Sequence, residues 1–341
     1  MDNLKKVGLT ALAGSLAAVS ANAAEMSVSG ATLLTYTSED GTEVTGNPFG
    51  MKTNLSFTAS GDVNGMTVSY MQASKDQFAG MSSARLSIDM GDMGTLAFDQ
   101  GSGSGLATID DKTPTAAEEI WDGLDGVAVG GLVGAAGNTG VFNYIKSFGG
   151  VTFNGAARKG SGAANSDGSS SGAGQSAWDF ALTGSGDMMG IDGLSWGTGY
   201  GEAESGQETN AAGSYSDDKH WTVFANYAAG PVTFGYQMSG IQAGSNGTAG
   251  ENTDAWGLAF NVNDNLSISY TQAESTYDNQ DDVATAVTTD DDVTETIDAI
   301  QVAYSMGGMS IKAYNMEVTN PDHDDNAADQ SVTEIALGFA F

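Results

Sequence analysis

The chain has 341 residues, with 48 Gly, four Pro, 43 acidic and 11 basic residues, and a formal net charge of −32. This negative field argues against nucleic acid as a partner, since a nucleic-acid interface must neutralise phosphates. The chain contains no Cys, which excludes disulfides, thiol nucleophiles and cysteine-bound metals. High net charge can indicate disorder, but here the acids gather in short runs and apolar alternation persists between them.

The N-terminus has the composition of a secretory signal peptide. Two lysines precede an apolar run over 7–19, and Ala21-Asn22-Ala23 has the small-x-small pattern of a cleavage site. We therefore expect residues 1–23 to be removed on export and 24–341 to form a single domain. No later stretch approaches the roughly 20 apolar residues of a spanning helix, so membrane insertion would require a closed barrel.

Segments of alternating apolar and polar residues, bounded by Gly, Asn and Asp, follow along the chain. Their length of about 8 to 12 residues suits tilted membrane strands. The pattern predicts sixteen strands: 26–37, 49–59, 65–74, 81–90, 94–100, 141–148, 150–158, 176–186, 190–202, 218–229, 231–240, 252–262, 265–275, 295–306, 308–319 and 330–341.

Short and long connections alternate between these segments. Tight turns such as those at Gly149 and Gly230 separate longer connections, of which 101–140 is the longest and the third long one. A membrane meander has short periplasmic turns and long external loops, and an even strand number places both termini in the periplasm. A soluble β-sandwich gives no reason for this alternation.

The last strand ends the chain on an aromatic residue. Ile335, Leu337, Phe339 and Phe341 share one face, while small or polar residues occupy the other. In an outer-membrane barrel the apolar face meets lipid, and terminal aromatics lie at the membrane interface.

Taken together, the chain resembles the general-diffusion porins of Gram-negative outer membranes, in particular an alphaproteobacterial branch. The resemblance rests on the architecture and on two end signatures, Val28-Ser29-Gly30 and Ala336 to Phe341. It implies an all-β transmembrane antiparallel barrel of sixteen strands, with the long third loop folded into the lumen. It also implies a homotrimer in outer-membrane lipid and lipopolysaccharide, and presentation of Phe339 and Phe341 to the barrel-insertion machinery. Eighteen strands remain an alternative if Val127 to Ala136 forms a further hairpin.

The loop 101–140 is expected to narrow a pore that passes small hydrophilic solutes and ions. It lacks the Pro-Glu-Phe-Gly motif of some enteric porins, so constriction residues are suggested by position alone. These are its six carboxylates, Asp110, Asp111, Glu118, Glu119, Asp122 and Asp125. A capping box from Thr115 to Glu118 predicts a short helix through Ile120 and Trp121.

Three bases are expected on the pore wall. Lys52, Arg85 and Arg158 alternate with apolar neighbours, and a base facing lipid would cost roughly 2 to 4 kcal/mol. Acids on the loop and bases on the wall would produce a transverse field. Alternatively, the bases anchor the loop through salt bridges. Four further acids on the strands are expected to face the lumen: Asp89, Asp99, Asp179 and Glu334. Together with the loop acids they outnumber the bases, which predicts a cation preference.

No catalytic or metal motif is found, so neither an enzyme nor a cofactor is predicted. The G-x-S-x-G elbow is absent, although a barrel hydrolase can place its residues by geometry alone. The acidic runs are interpreted as solvated external loops that bind Ca²⁺ or Mg²⁺ weakly at most, since the calcium-loop spacing is missing. They lie at 281–282, 290–292 and 322–325, and His220 and His323 are interpreted as surface residues. The alternatives are a substrate-specific channel and a plugged structural or adhesive barrel.

Overall fold

The computed structural model describes residues 25–40, 46–75, 81–120, 132–137, 139–160, 175–204, 217–242, 250–278 and 292–341. The predicted signal peptide, 1–23, lies outside these residues and stays a prediction. Among the described residues, no helix has the length and apolar character needed to cross a membrane.

Sixteen strands account for most of the described chain. They are β1 Glu25–Asp40, β2 Phe49–Val63, β3 Met66–Lys75, β4 Met81–Asp89, β5 Thr95–Gln100, β6 Thr139–Phe148, β7 Val151–Arg158, β8 Ala177–Ser185, β9 Leu194–Ala203, β10 Asp218–Ala229, β11 Val232–Gln242, β12 Gly250–Asn263, β13 Leu266–Asp278, β14 Val293–Met306, β15 Met309–Thr319 and β16 Gln330–Ala340. The described parts of the connections contain four short 3-10 turns, at Gly91–Met93, Gly105–Thr108, Gly186–Met189 and Pro321–His323.

The strands form one closed antiparallel barrel in which each pairs with its neighbours in sequence. β1 closes the ring against β16, with Thr32 opposite Phe339. Beyond the last strand residue, Phe341 and Gly30 exchange both of their backbone hydrogen bonds, each 2.9 Å long. Since β5 pairs directly with β6, the prediction of sixteen strands is confirmed and the eighteen-strand alternative is wrong.

Each strand presents one apolar face and one polar face, because successive side chains point to opposite sides. On β11, Phe234 and Tyr236 are exposed on the apolar face, whereas Gln237 and Ser239 are buried on the polar face. The cross-strand register carries the same division around the ring, so Phe234 lies opposite Leu258 and Gln237 opposite Ala255.

The structure settles the facing of β6 and β10, whose sequence patterns are mixed. Phe142 is exposed and Asn143 buried on β6. On β10 Val223 is on the apolar face, and Phe224 is buried on the polar face, where it packs with Leu106. An aromatic residue on the polar face therefore has a partner from the longest connection.

Candidate functional site

The longest connection begins with a segment that runs along the polar face of half the barrel. We call residues 105–120 the crossing segment. Its backbone N–H groups donate to wall side chains on successive strands: Gly105 to Asn154, Leu106 to Asp179, Lys112 to Gln237, Ala116 to Ser269, and Ala117 to Gln301. These acceptors belong to β7, β8, β11, β13 and β14, so the segment follows the wall strand by strand.

Arg85 anchors the chain just before the crossing segment. Its guanidinium lies 3.6 Å from the fully buried carboxylate of Asp99, its cross-strand partner. It also donates to the Gly103 carbonyl at 3.1 Å and to Asn143. Asp99 in turn accepts from Ser104 at 2.7 Å. Arg85 is thus part of an ion pair within the wall and also binds the first residues of the loop by hydrogen bonds, while its role in the pore stays a prediction.

Asp179 joins the two ends of the described part of the loop. Its Oδ1 accepts the Leu106 N–H at 3.0 Å, and its Oδ2 accepts the Ala136 N–H at 2.8 Å. The side chain is buried, so both bonds are shielded from water. Charge-assisted hydrogen bonds of this kind are the stronger ones. One carboxylate therefore binds both the outgoing part of the loop, at Leu106, and its returning part, at Ala136, to β8.

The middle of the crossing segment lies in close contact with the wall. The Gln237 side chain accepts from the Lys112 N–H at 2.7 Å and donates to the Ile109 carbonyl at 2.9 Å. A Cβ at Gly235 would lie 2.4 Å from Pro114 Cδ, and one at Gly199 would lie 2.4 Å from Leu106 Cδ1. The wall is made of glycine where the segment approaches most closely.

The far end of the segment binds Lys312 on β15. The Lys312 Nζ donates to the Ala117 carbonyl at 2.9 Å and lies 3.2 Å from Glu118 Oε1. Beyond this pair, Ile120 is fully buried in an apolar cluster on the wall that includes Ile297 and Met316. The segment is therefore held at its end by both a charge pair and apolar packing.

The helix predicted from Thr115 is not found over 115–120, which contains no helical segment, and Trp121 lies outside the described residues. Wall side chains occupy carbonyls that a helix would need for its own i to i+4 bonds. Lys312 binds the Ala117 carbonyl, and Gln301 donates to the Glu118 carbonyl at 2.9 Å. Tertiary hydrogen bonds thus outweigh the local capping signal.

Two carboxylates of the crossing segment lie in a poorly hydrated position. Burial raises the pKa of Asp110 to about 6, partly offset by the nearby Lys112. Burial also raises the pKa of Asp111 to about 6, and the Glu119 carboxylate adds to the rise. Asp111 Oδ2 has no hydrogen-bond partner among the described residues. Both groups therefore change charge close to neutral pH rather than near pH 4.

The other predicted loop acids differ in their surroundings. Glu118 pairs with Lys312, whereas Glu119 is exposed. Asp122 and Asp125 lie outside the described residues. The described members of the set are therefore one half-buried acid, one buried acid, one paired acid and one exposed acid.

The remaining predicted wall residues lie on the polar face, as their strand parity indicates. Arg158 donates to the Gln175 carbonyl at 3.1 Å and is close enough to Asp179 to interact electrostatically. Lys52 is half-buried and forms no ion pair with any carboxylate that the structure describes. The contribution of the three bases to a transverse field stays a prediction.

The predicted strand acids also have polar partners. Asp89 accepts the Gly91 N–H at 2.9 Å in a tight turn, and Glu334 accepts the Thr37 hydroxyl at 3.2 Å. Asp99 and Asp179 hold the longest connection. These four acids are thus observed in hydrogen bonds and ion pairs within the protein. A simple count of acids against bases does not include such contacts.

The sequence analysis missed Lys312 and the wall amides that bind the crossing segment. Lys312 alternates with the exposed Ile311 on β15, so strand parity would have placed it on the polar face. Asn154, Gln237 and Gln301 share that parity on their own strands. No local signal marked these amides as binding backbone 49 to 184 residues away.

The connection between β15 and β16 contacts the wall through His323, whereas Asp322, Asp324 and Asp325 are exposed, in line with the interpretation of 322–325 as a solvated acidic run. His323 Nε2 lies 3.1 Å from the Ser275 carbonyl and 3.2 Å from its hydroxyl. Pro321 is buried. His220 is likewise more than a surface residue, because its Nδ1 accepts the Gly134 N–H at 3.4 Å.

Acidic and histidine side chains do not gather into a metal centre in the described part of the chain, where no group of three or more could hold an ion. The acidic run 281–282 and the residues 290–291 lie outside that part. The expected lack of a cofactor and of enzyme activity stays a prediction.

Comparison with known proteins finds likeness in structure but not in sequence. No protein-family model matches the chain, and no curated protein matches its sequence. The trimer form of OmpT, an outer membrane protein of Vibrio cholerae, superposes with a TM-score of 0.63 at 12% identity, over 94% of this chain and 100% of that one. OmpF of Salmonella typhi gives 0.62 at 13% over 94% and 99%. A refined porin gives 0.60 at 14% over 93% and 100%.

These matches define the class of fold as a porin-type, sixteen-stranded antiparallel barrel. The predicted resemblance to porins is confirmed at the level of the fold. Its alphaproteobacterial placement stays a prediction.

Proposed function

We propose that the protein forms a water-filled channel in the Gram-negative outer membrane for passive diffusion of small hydrophilic solutes and ions. The observation that carries this proposal is the closed barrel with exposed apolar residues on one face and the crossing segment on the other. In a bilayer the apolar face meets lipid, and the polar face lines a hydrated lumen. The protein reaches this membrane through its N-terminal signal peptide.

In this channel the crossing segment lies in the lumen and narrows it from the side of β7 to β15. Lys52, on β2, faces the open part of the lumen from another side. Asp110 and Glu119 on the segment provide negative charge there, and Lys112 provides one positive charge. Carboxylates at the narrowest place favour cations, so we propose a modest cation preference.

We further propose a homotrimer, supported by the trimer form of the similarly folded OmpT. Exposed aromatic and aliphatic side chains such as Phe57, Phe142 and Leu258 provide apolar surface for both lipid and neighbouring copies. Lipopolysaccharide would surround the trimer in the outer leaflet, and the barrel-insertion machinery would recognise the terminal Phe341. Weak Ca²⁺ or Mg²⁺ binding at the acidic external loops remains part of this proposal.

Conductance in a planar bilayer tests the function directly. The mature protein should give large, steady current steps in KCl, and its reversal potential in a salt gradient should have the sign of cation preference. A substrate-specific channel would give small steps that one solute class blocks. A plugged structural or adhesive barrel would give no steps although it inserts, and that result would reject the proposal.

Insertion is measured separately through heat modifiability. A folded outer-membrane barrel migrates differently in SDS gels before and after boiling. Unchanged migration, together with release into the soluble periplasm, would reject the membrane barrel itself.

A further inference from the structure

A second stretch of chain, far from the crossing segment, also folds onto the polar face. We call residues Asn320–His323, at the start of the connection between β15 and β16, the cap segment. The Asn320 side-chain amide donates to the Thr294 carbonyl at 2.9 Å, and the Asp322 N–H donates to Glu295 Oε2 at 2.8 Å. Together with the bonds from His323 to Ser275, these contacts tie the cap segment to β13 and β14.

The backbone of the cap segment is strained. Asn320, Asp322 and His323 all have left-handed φ values, of 51°, 59° and 55°. A residue other than glycine in this region costs of the order of 1 to 3 kcal/mol and persists where surrounding contacts enforce it. The conformation of the cap segment therefore depends on its bonds to the wall, and it should relax when those bonds are lost.

The main acceptor of the cap segment is an unusual carboxylate. Glu295 has no exposed surface, and its Oε1 has no hydrogen-bond partner among the described residues. Glu251, on β12, and Asp322 are its charged neighbours, and both repel a negative charge. Burying a charged carboxylate with one free oxygen is costly, whereas the protonated acid is tolerated.

His323 adds a second contact between the cap segment and the wall. The Ser275 carbonyl only accepts hydrogen bonds, so Nε2 of His323 must carry a hydrogen to bond with it. The Ser275 hydroxyl donates to Glu251 at 2.5 Å, and the Tyr277 ring lies 5.6 Å from the His323 ring. The described groups that face this site are thus three carboxylates, one phenol and one imidazole.

We propose that the cap segment is a proton-linked gate at the mouth of the channel, with Glu295 as its latch. This inference rests on the proposed channel function. Protonated Glu295 keeps the cap segment on the wall, where it narrows the mouth. Loss of the proton leaves a buried charge beside two other carboxylates, and the strained cap segment then swings away into water.

The direction of the pH effect follows from the state that binds the proton more tightly. The latched state buries Glu295, whereas the released state exposes it to water, so the latched state holds its proton to higher pH. Lowering the pH should therefore raise the occupancy of the narrower state, by at most about tenfold per pH unit for each linked proton.

The test is single-channel recording of the mature protein between about pH 5 and pH 8, the range in which a buried carboxylate loses its proton. KCl at about 1 M reduces the screening length to about 3 Å and suppresses the long-range effect of other charges. An Asp110→Asn/Asp111→Asn background removes the titrating acids of the crossing segment. The channel should show two current levels, a lower one when the cap segment lies on the wall and a higher one when it is released. In this background the fraction of time spent at the lower level should still increase as the pH falls.

Glu295→Gln replaces the carboxylate with an uncharged amide, which mimics protonated Glu295. The current of this variant should stay at the lower level at every pH. The matched control is Glu317→Gln, an exposed acid on the apolar face of β15, which should keep the full pH response. If Glu295→Gln shifts with pH as its parent does, the proposal is overturned.

A second variant, with residues 321–325 replaced by Gly and Ser, covers the case in which Glu295→Gln fails to insert. It should stay at the higher level across the whole pH range, and retention of the pH-dependent closures would overturn the gate. If the unmodified protein itself gives no current steps, the channel function is what fails.

Discussion

Lys312 on the barrel wall and Glu118 on the crossing segment are in direct contact, with Nζ and Oε1 3.2 Å apart. A wall base and a loop acid therefore form an ion pair rather than facing each other across open water. The pair is part-exposed, so its own contribution to stability is about 0 to 1 kcal/mol. The pair matters mainly because it fixes the position of the crossing segment, since Lys312 also binds the Ala117 carbonyl.

Replacing Lys312 with Gln should loosen the end of the crossing segment and free the charge of Glu118. We expect noisier current steps and a reversal potential shifted toward stronger cation preference, since one positive charge is lost. The gel mobility of the folded barrel should not change. Lys146→Gln is the matched control, because that lysine donates to the Asp92 carbonyl in a turn. Equal effects of both variants would contradict a local role for Lys312.

Asp179→Asn tests whether the Asp179 carboxylate holds the two ends of the loop through Leu106 and Ala136. Only one amide oxygen remains to accept a hydrogen bond, so either Leu106 or Ala136 loses its partner. A hydrogen bond to a charged group contributes roughly 1.5 to 3 kcal/mol, so the loop should loosen while the strand ladder persists. Conductance fluctuations should increase, and the loop should be cut faster by added protease.

Asp187→Asn provides the control for Asp179→Asn, since Asp187 is exposed and accepts from Ser185 in a turn. Normal current noise and protease resistance in Asp179→Asn would show that the loop is held without the Asp179 carboxylate.

The raised pKa values of Asp110 and Asp111 predict a pH-dependent ion selectivity. Each is about 6, so both carboxylates are largely charged above that pH and neutral below it. Cation preference should therefore fall as the pH drops through about 6, whereas unperturbed aspartates would keep it until about pH 4. The measurement is the reversal potential in a KCl gradient.

Asp110→Asn/Asp111→Asn should remove most of this pH dependence and shift the channel toward anions. The effect should be largest at low salt, since the screening length is about 30 Å at 0.01 M and about 3 Å at 1 M. Asp92→Asn/Asp187→Asn removes the same number of charges from two turns. A selectivity that does not respond to the Asp110 and Asp111 changes would place these acids outside the ion path.

Deletion of Phe341 should lower the amount of inserted barrel. Phe341 exchanges two backbone hydrogen bonds with Gly30, and its side chain is 68% exposed. The residue thus extends the seam between β1 and β16 and presents an aromatic group at its end. The yield of heat-modifiable protein measures insertion. Normal yield with altered single-channel conductance would assign Phe341 to the pore instead.

The sequence by itself determined the barrel. Alternation with a period of two fixes which side chains share a face, so the sixteen strands and the facing of segments such as 231–240 could be read directly. Alternation of short and long connections gave the order of pairing. The observed strand ends differ from the predicted ones by at most four residues, and these differences do not change which side chains face each side of the wall.

The tertiary structure alone decided what the polar-face residues do. Asp179, Gln237 and Lys312 bind backbone groups 43 to 195 residues away, and no local pattern encodes such distances. The same contacts overrode the capping signal at Thr115, because wall side chains took the carbonyls that a helix needs. Burial, which raised the pKa of Asp111, arises only when the loop lies against the wall. Strand alternation is a local property of the chain, whereas the partners of a loop depend on the closed barrel.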